Sequence, residues 1–307
     1  MFKIDFLIVG TFKAASSSIA FQLNTHPKIS LCNPKDPFYF LGDYCKELIE
    51  PENYVEEHHH LSIYDEKKYF ASFESAHEDD VKFGDATPLY LYRYSESIPK
   101  IKANNKNAKI IVILRNPVER AFSNYMHNRM ERVELKSFSE IISSYKKLEN
   151  DTVHPFFHYI KAGFYSEQLL RFKKEFKDVL VVSFEDYVQK KETTVGKICD
   201  FLGVNISEMS IAKVQRNKTG AIKSVWLQRF IKRESVTKSF FRPLYRLIVR
   251  SKNTRKLIEE KMKNLNTKAV KICNSDREKL QDLYREDVQI LSKECGVDFY
   301  KLWGFSD

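Results

Sequence analysis

Apolar residues first gather at Phe6–Val9, a short run that stops at Gly10; small polar residues follow, and Ser18 to Leu23 reads as a helix. A stronger run, Lys109–Leu114 (KIIVIL), is β-branched and apolar on both faces, the pattern of a central strand in a parallel sheet. It ends in Arg115-Asn116, and Pro117 stands where a helix's first residue belongs, so a helix is expected through Ser123. A third run, Val179–Phe184, follows an amphipathic stretch from Ser166 to Phe176. Strands alternating with helices predict an α/β fold, a central parallel sheet flanked by helices. Residues 43–106 and 127–162 read as helical and loop-rich. The tail from 225 onward reads as helical, ending in Arg277–Cys295 with Gly296 as the stop. No repeat or flexible linker interrupts the chain, so 1–307 reads as a single domain with a helical C-terminal part.

Charge changes this picture more than composition does. The chain has 307 residues and a net charge of +10, and residues 213–279 alone hold 20 Lys and Arg against five Asp and Glu. That segment reads either as a site for phosphates, nucleic acid or an anionic membrane, or as a solvated helical face. Residues 43–85 are the opposite, with 13 acids against four Lys and Arg. No window approaches 18 uninterrupted apolar residues, so no membrane span is expected. The N-terminus reads as a strand and not as a signal peptide. The five cysteines (32, 45, 199, 273 and 295) are odd in number and never CxxC, which argues against a disulfide framework or a zinc site and for a reducing, cytoplasmic setting. His58-His59-His60 is a weak metal candidate, because consecutive residues cannot share one helix face.

The candidate chemistry lies outside the basic segment. Gly10-Thr-Phe-Lys13-Ala14-Ala15-Ser16-Ser17-Ser18 follows a strand and opens a helix, which makes it a P-loop-like anion site: backbone N–H groups and the helix dipole favour a phosphate there. Ser16–Ser18 alternatively cap the helix. A nucleoside-triphosphate loop needs GxxxxGK[ST], and here Lys13 comes too early and the second glycine is missing. Arg115 also stands where such enzymes need a magnesium-binding Asp, which argues against a nucleotide kinase. Arg115 lies at a strand's carboxyl end, and Ser123 is about two helical turns on. An Arg fork with a hydroxyl suits a terminal phosphate monoester. The ligand implied has two anionic ends.

These segments resemble the sulfotransferases that use 3′-phosphoadenosine-5′-phosphosulfate (PAPS), in the bacterial type related to the heparan-sulfate sulfotransferase domains. Phe6 to Ser18 is similar to that family's 5′-phosphosulfate loop. Pro34-Lys-Asp-Pro-Phe-Tyr-Phe40 resembles its KEPHFF element, and Phe83-Gly-Asp-Ala-Thr-Pro-Leu-Tyr90 its GEASPxY element. Lys109–Tyr125 (KIIVILRNPVERAFSNY) matches its 3′-phosphate motif, with Gly163-Phe-Tyr165, Val182–Tyr187 and Phe201-Leu-Gly203 following in order. Three positions depart from the family: Ala15 replaces a loop glycine, Asp36 a glutamate and Phe38 a histidine.

The resemblance implies a PAPS-dependent sulfotransferase that releases adenosine 3′,5′-bisphosphate and needs no metal. It implies that Lys13, the 14–18 loop, Arg115 and Ser123 hold the nucleotide. Asp36 is the candidate base, with Asp85 as runner-up; Asp36 also reads as a turn carboxylate before Pro37. Phe38 and Thr87 join them as acceptor-side residues. Tyr165 reads equally as an adenosine contact or a core tyrosine. The nucleotide's outer cover falls either to Arg216-Asn-Lys218-Thr-Gly220, favoured for its glycine, or to Lys261–Asn266. The acidic 43–85 segment favours a neutral or cationic small acceptor, such as a natural product, over a polyanionic glycan. A carbohydrate sulfotransferase is the alternative. The non-enzyme alternative is a lipid or nucleic-acid binder acting through 213–279, although that segment holds no recognisable nucleic-acid module, and peripheral membrane contact is the most it suggests. The sequence leaves the oligomeric state open.

Overall fold

The computed structural model describes residues 3–46, 63, 65–73, 80–131, 133–145, 154–209, 220–222 and 267–305. Five parallel strands form one sheet in the order β2-β3-β1-β4-β5: β1 Phe6–Gly10, β2 Ile29–Leu31, β3 Lys82–Ala86, β4 Lys109–Leu114 and β5 Val179–Ser183. This is the α/β architecture the alternation predicts. Phe6 to Val9 and Ile110 to Leu114 are fully buried, as residues covered on both faces must be.

The strand at Lys82–Ala86 corrects the helical and loop-rich reading of 43–106. Its sequence, KFGDA, carries no apolar run, and its place in the sheet rests on packing. Gly84 pairs with Phe6, whose ring lies where a side chain at 84 would go: a Cβ there would come within 2.2 Å of the ring. A second correction concerns the tail. Thr267–Ala269 (β7) is a strand that pairs antiparallel with Gly220–Ile222 (β6), a pairing that no hydrophobic period in so short a run announces.

Helices follow the strands: α1 Ser16–Leu23, α2 Glu66–Ala71, α3 Leu89–Tyr92, α4 Tyr94–Asn104, α5 Pro117–Met130, α6 Phe138–Ser144, α7 Ser166–Glu175, α8 Phe184–Gln189, α9 Lys191–Leu202, α10 Asn274–Cys295 and α11 Phe299–Leu302. The core on one side of the sheet joins Phe6, Ile8, Ile111 and Ile113 to Ile19 and Leu23 of α1 and to Val195, Ile198 and Leu202 of α9. The chain divides into two compact units, Met1–Asn124 with Lys136–Val214 and Asn274–Asp307, and Tyr125–Leu135 with Gln215–Cys273. The first holds the parallel sheet. Of the second, the described parts are the end of α5 with the turn after it and the β6–β7 pair.

With β1 central and the chain passing to both sides of it, the loops after β1, β2, β3, β4 and β5 all leave from one edge of the sheet. Ligands of open parallel sheets bind at that carboxyl edge, where strand order reverses.

Candidate active site

The loop from Thr11 to Ala15 is anchored to the neighbouring strand by the Thr11 amide, which donates to the Ile113 carbonyl at 2.7 Å. Lys13 and Ala15 both take left-handed backbone, at φ 62 and 67. Ala15 is the N-cap of α1, and no side chain caps that terminus. The capping alternative for Ser16–Ser18 therefore does not describe this helix. Ser16 is buried, Ser17 is exposed, and Ser18 Oγ lies 2.8 Å from the Tyr187 hydroxyl. Ala14 is buried in the core under the loop.

Arg115 joins this loop to the end of β4. Its guanidinium donates to the Lys13 carbonyl at 2.7 Å and lies 4.5 Å above the Phe184 ring. Among the described residues its Nε is a buried donor with no acceptor. A buried cationic donor left open in this way is what an anionic oxygen satisfies. Burial lowers the guanidinium's affinity for its proton, and Glu119 and Glu185 oppose that. Ser123 is buried on α5. Tyr165 is fully buried, and its hydroxyl donates to the Arg115 carbonyl at 3.0 Å. The structure thus brings Lys13, Arg115 and Tyr165 into one connected set, with Tyr165 contacting the arginine's backbone.

The two candidate bases occupy different settings. Asp36 is half-buried in left-handed backbone (φ 61), with its carboxylate 2.5 Å from Lys35 Nζ. Phe38, also left-handed at φ 56, turns into the core. Asp85 is wholly buried, and both its oxygens are taken: Thr87 Oγ1 donates to one at 2.7 Å, and the Tyr69 and Tyr90 hydroxyls donate to the other at 2.8 and 2.9 Å. Burial pushes the Asp85 carboxyl up to about 6 against those three hydrogen bonds. Tyr69 is in turn stacked on Tyr39 at 3.9 Å. This cluster is a buried polar network in which Thr87 is already engaged.

Lys218, the alternative loop 261–266 and His58–His60 lie outside the described residues; Gly220 is the first residue of β6. Among the described residues no group of His, Cys, Asp and Glu could hold a metal ion, and no helix is long and apolar enough to cross a membrane.

A model of the sulfotransferase family matches residues 6–208, a span that includes every part of this edge described so far. The chain belongs to the sulfotransferase family. Its relatives include the membrane-associated sulfotransferase kil1 of Dictyostelium discoideum, 31% identical over 39% of this chain and 22% of that protein. Human heparan sulfate glucosamine 3-O-sulfotransferase 3B1 is 28% identical over 38% of this chain and 30% of its own length. The match to these curated relatives spans between 22% and 34% of their own length. Over the whole chain, the sulfotransferase from Alicyclobacillus acidocaldarius has the same fold, with a TM-score of 0.71, 23% identity and 99% coverage of both chains.

Three residues at this edge carry no sequence signal of their own. Asn116 accepts the Val118 amide at 3.0 Å and so starts α5. Glu185, on the first turn of α8, accepts the Asn116 amide at 3.1 Å. Arg120 is fully buried and donates to the Tyr159 carbonyl. The 3′-phosphate motif contains Asn116 and Arg120, and the Val182–Tyr187 segment contains Glu185, but the Asn116–Glu185 and Arg120–Tyr159 hydrogen bonds join residues distant in sequence.

Proposed function

We propose that this sulfotransferase moves the sulfuryl group of PAPS to a hydroxyl or amine of a small acceptor. The observation that carries the reading is the Arg115–Lys13 link. One guanidinium holds the carbonyl of the loop lysine at 2.7 Å and, among the described residues, keeps a buried donor open, which supports two adjacent anion sites at the carboxyl edge. PAPS has a matching pair of anionic ends, the 3′-phosphate and the 5′-phosphosulfate.

In this reading Arg115 and Ser123 take the 3′-phosphate, and Lys13 with the amides of the loop takes the 5′-phosphosulfate. Lys218 and Gly220 belong to the loop assigned to the nucleotide's outer cover. Tyr165 acts by fixing the Arg115 carbonyl. The acceptor's oxygen or nitrogen bonds to sulfur as the bond from sulfur to the bridging oxygen breaks. Adenosine 3′,5′-bisphosphate leaves with the electron pair, and the Lys13 ammonium stabilises the charge that develops on it. Asp36 takes the acceptor's proton: it is the candidate carboxylate in contact with solvent, whereas Asp85 is sealed among hydroxyls. Phe38 and Thr87 then shape the acceptor side from beneath. No step calls on a metal. The cytoplasm is the compartment we assign, on the scattered cysteines.

The test is release of adenosine 3′,5′-bisphosphate from PAPS in the presence of acceptors. Lys13→Ala and Arg115→Ala are expected to lower kcat/KM at least 100-fold, the scale of a lost charged donor to a transition state. A Lys13→Ala enzyme of unchanged rate overturns the assignment. Asp36→Asn should lower kcat and leave the KM for PAPS unchanged.

A further inference from the structure

The family model ends at residue 208, yet the carboxyl end of β4 is closed from behind by the C-terminal helices. Trp303, just after α11, meets this strand end in three ways. Its carbonyl accepts from Asn116 Nδ2 at 3.0 Å, its indole Nε1 donates to Glu185 Oε2 at 3.0 Å, and its ring meets the Tyr165 ring edge-on at 6.2 Å between centroids. Glu185 divides its two oxygens. Oε1 accepts the Asn116 amide at 3.1 Å, while Oε2 takes the indole N–H and the Ser183 hydroxyl at 3.1 Å. The residue before Asn116 is Arg115, and its carbonyl is held by Tyr165. Tyr165 is set from the same side, because its amide donates to Asp287 of α10 at 2.8 Å.

We infer that Glu185 and Trp303 are positioning residues for the 3′-phosphate site: they fix the Arg115–Asn116 backbone. Phosphate recognition by a guanidinium depends on the fork's orientation, so the precision of the backbone that carries it is part of the affinity. Every polar atom in the set has its partner inside the protein. In this proposal Glu185 and Trp303, whose carboxylate and indole N–H are engaged within the protein, act through Arg115. Trp303 has the place of a strut, with the Phe299 ring packed 4.5 Å from its own. The inference rests on the proposed function, since it assumes that Arg115 receives the 3′-phosphate.

The test is calorimetric binding of two nucleotides that differ only in the 3′-phosphate: adenosine 3′,5′-bisphosphate, and adenosine 5′-monophosphate, which has none. Trp303→Phe keeps the ring packing and loses the indole donor, and Glu185→Gln removes the charge and sets an amide N–H₂ against the indole N–H. Each variant should bind the bisphosphate about fivefold more weakly, the scale of one lost hydrogen bond, with affinity for the monophosphate unchanged. Equal weakening for both nucleotides, or none for either, overturns the inference, because a merely structural strut would not discriminate between them. Arg115→Ala serves as the control on the underlying reading: if it leaves bisphosphate affinity intact, the proposed function fails. If it abolishes binding while Trp303→Phe and Glu185→Gln bind as the parent does, the positioning role alone fails.

Discussion

At the residue scale the loop from Thr11 to Ala15 departs from its family where the backbone is most demanding. Ala15 holds φ 67, a region that costs an L-residue roughly 1–2 kcal/mol and a glycine nothing. Ala15→Gly should therefore stabilise the protein by about 0.5–1 kcal/mol, after the entropy that glycine adds to the unfolded chain. A thermal melt checks this, and a lowered melting temperature counts against it. Asp85 makes a second prediction. Burial raises its carboxyl from the unfolded value of 3.8 to about 6, so its contribution to stability is full below the unfolded value and is lost as pH rises through the folded one. The stability advantage of the parent over Asp85→Asn should shrink by roughly 2 kcal/mol between pH 4 and pH 7. Melts of both proteins across that window give the sign; an advantage that grows with pH contradicts the burial argument. The sequence offered two carboxylates for one role, and the hydroxyls around Asp85 came from positions 69, 87 and 90, of which Tyr69 could not be joined by any local pattern.

At the element scale, what was legible followed the length and purity of the apolar run. Lys109–Leu114 needs only its own residues to be read as a central strand, and its observed bounds match the run. The helix read from Ser18 begins two residues earlier at Ser16, because the left-handed Ala15 starts it. β3 was not legible, since a strand of Lys, Phe, Gly, Asp and Ala has its polar atoms satisfied only by partners from other elements. The main chain of β3 lies between two parallel neighbours, and Phe6 fills the space over Gly84. Gly84→Ala is expected to destabilise the protein by about 1–3 kcal/mol, as overpacked cores do. A denaturant titration measures it, and an unchanged midpoint would mean that the Phe6 ring is free to move aside. α7 shows the same limit at a helix end. Its first amides and the Ser166 hydroxyl all bond to Asp287, more than 100 residues away, so no capping pattern at 163–166 announced the start.

At the scale of the whole molecule the charge divides between regions. The net charge of +10 comes from 213–279, whereas the loop and the Arg115 helix that form the candidate site lie in the remainder, which is net acidic. The acidic 43–85 stretch includes Asp65 and Glu66 beside α2, whose charges together with burial raise the Tyr39 hydroxyl. On this basis heparosan, a polyanion, should be sulfated at least tenfold more slowly than a neutral or cationic small acceptor, with release of adenosine 3′,5′-bisphosphate as the assay. Equal or faster sulfation of heparosan would assign the enzyme to carbohydrates instead. The sequence by itself determined the alternation of strands and helices, the P-loop-like turn after β1 and the Arg115–Ser123 spacing, because each depends on residues within a turn or two of one another. Only the tertiary structure decided that β3 joins the sheet, that Asp85 is sealed while Asp36 reaches solvent, and that Trp303 bonds to Asn116 and Glu185 at the end of β4. These depend on burial and on hydrogen bonds between residues tens to nearly 200 positions apart, which a parallel sheet with crossover helices brings to a single edge.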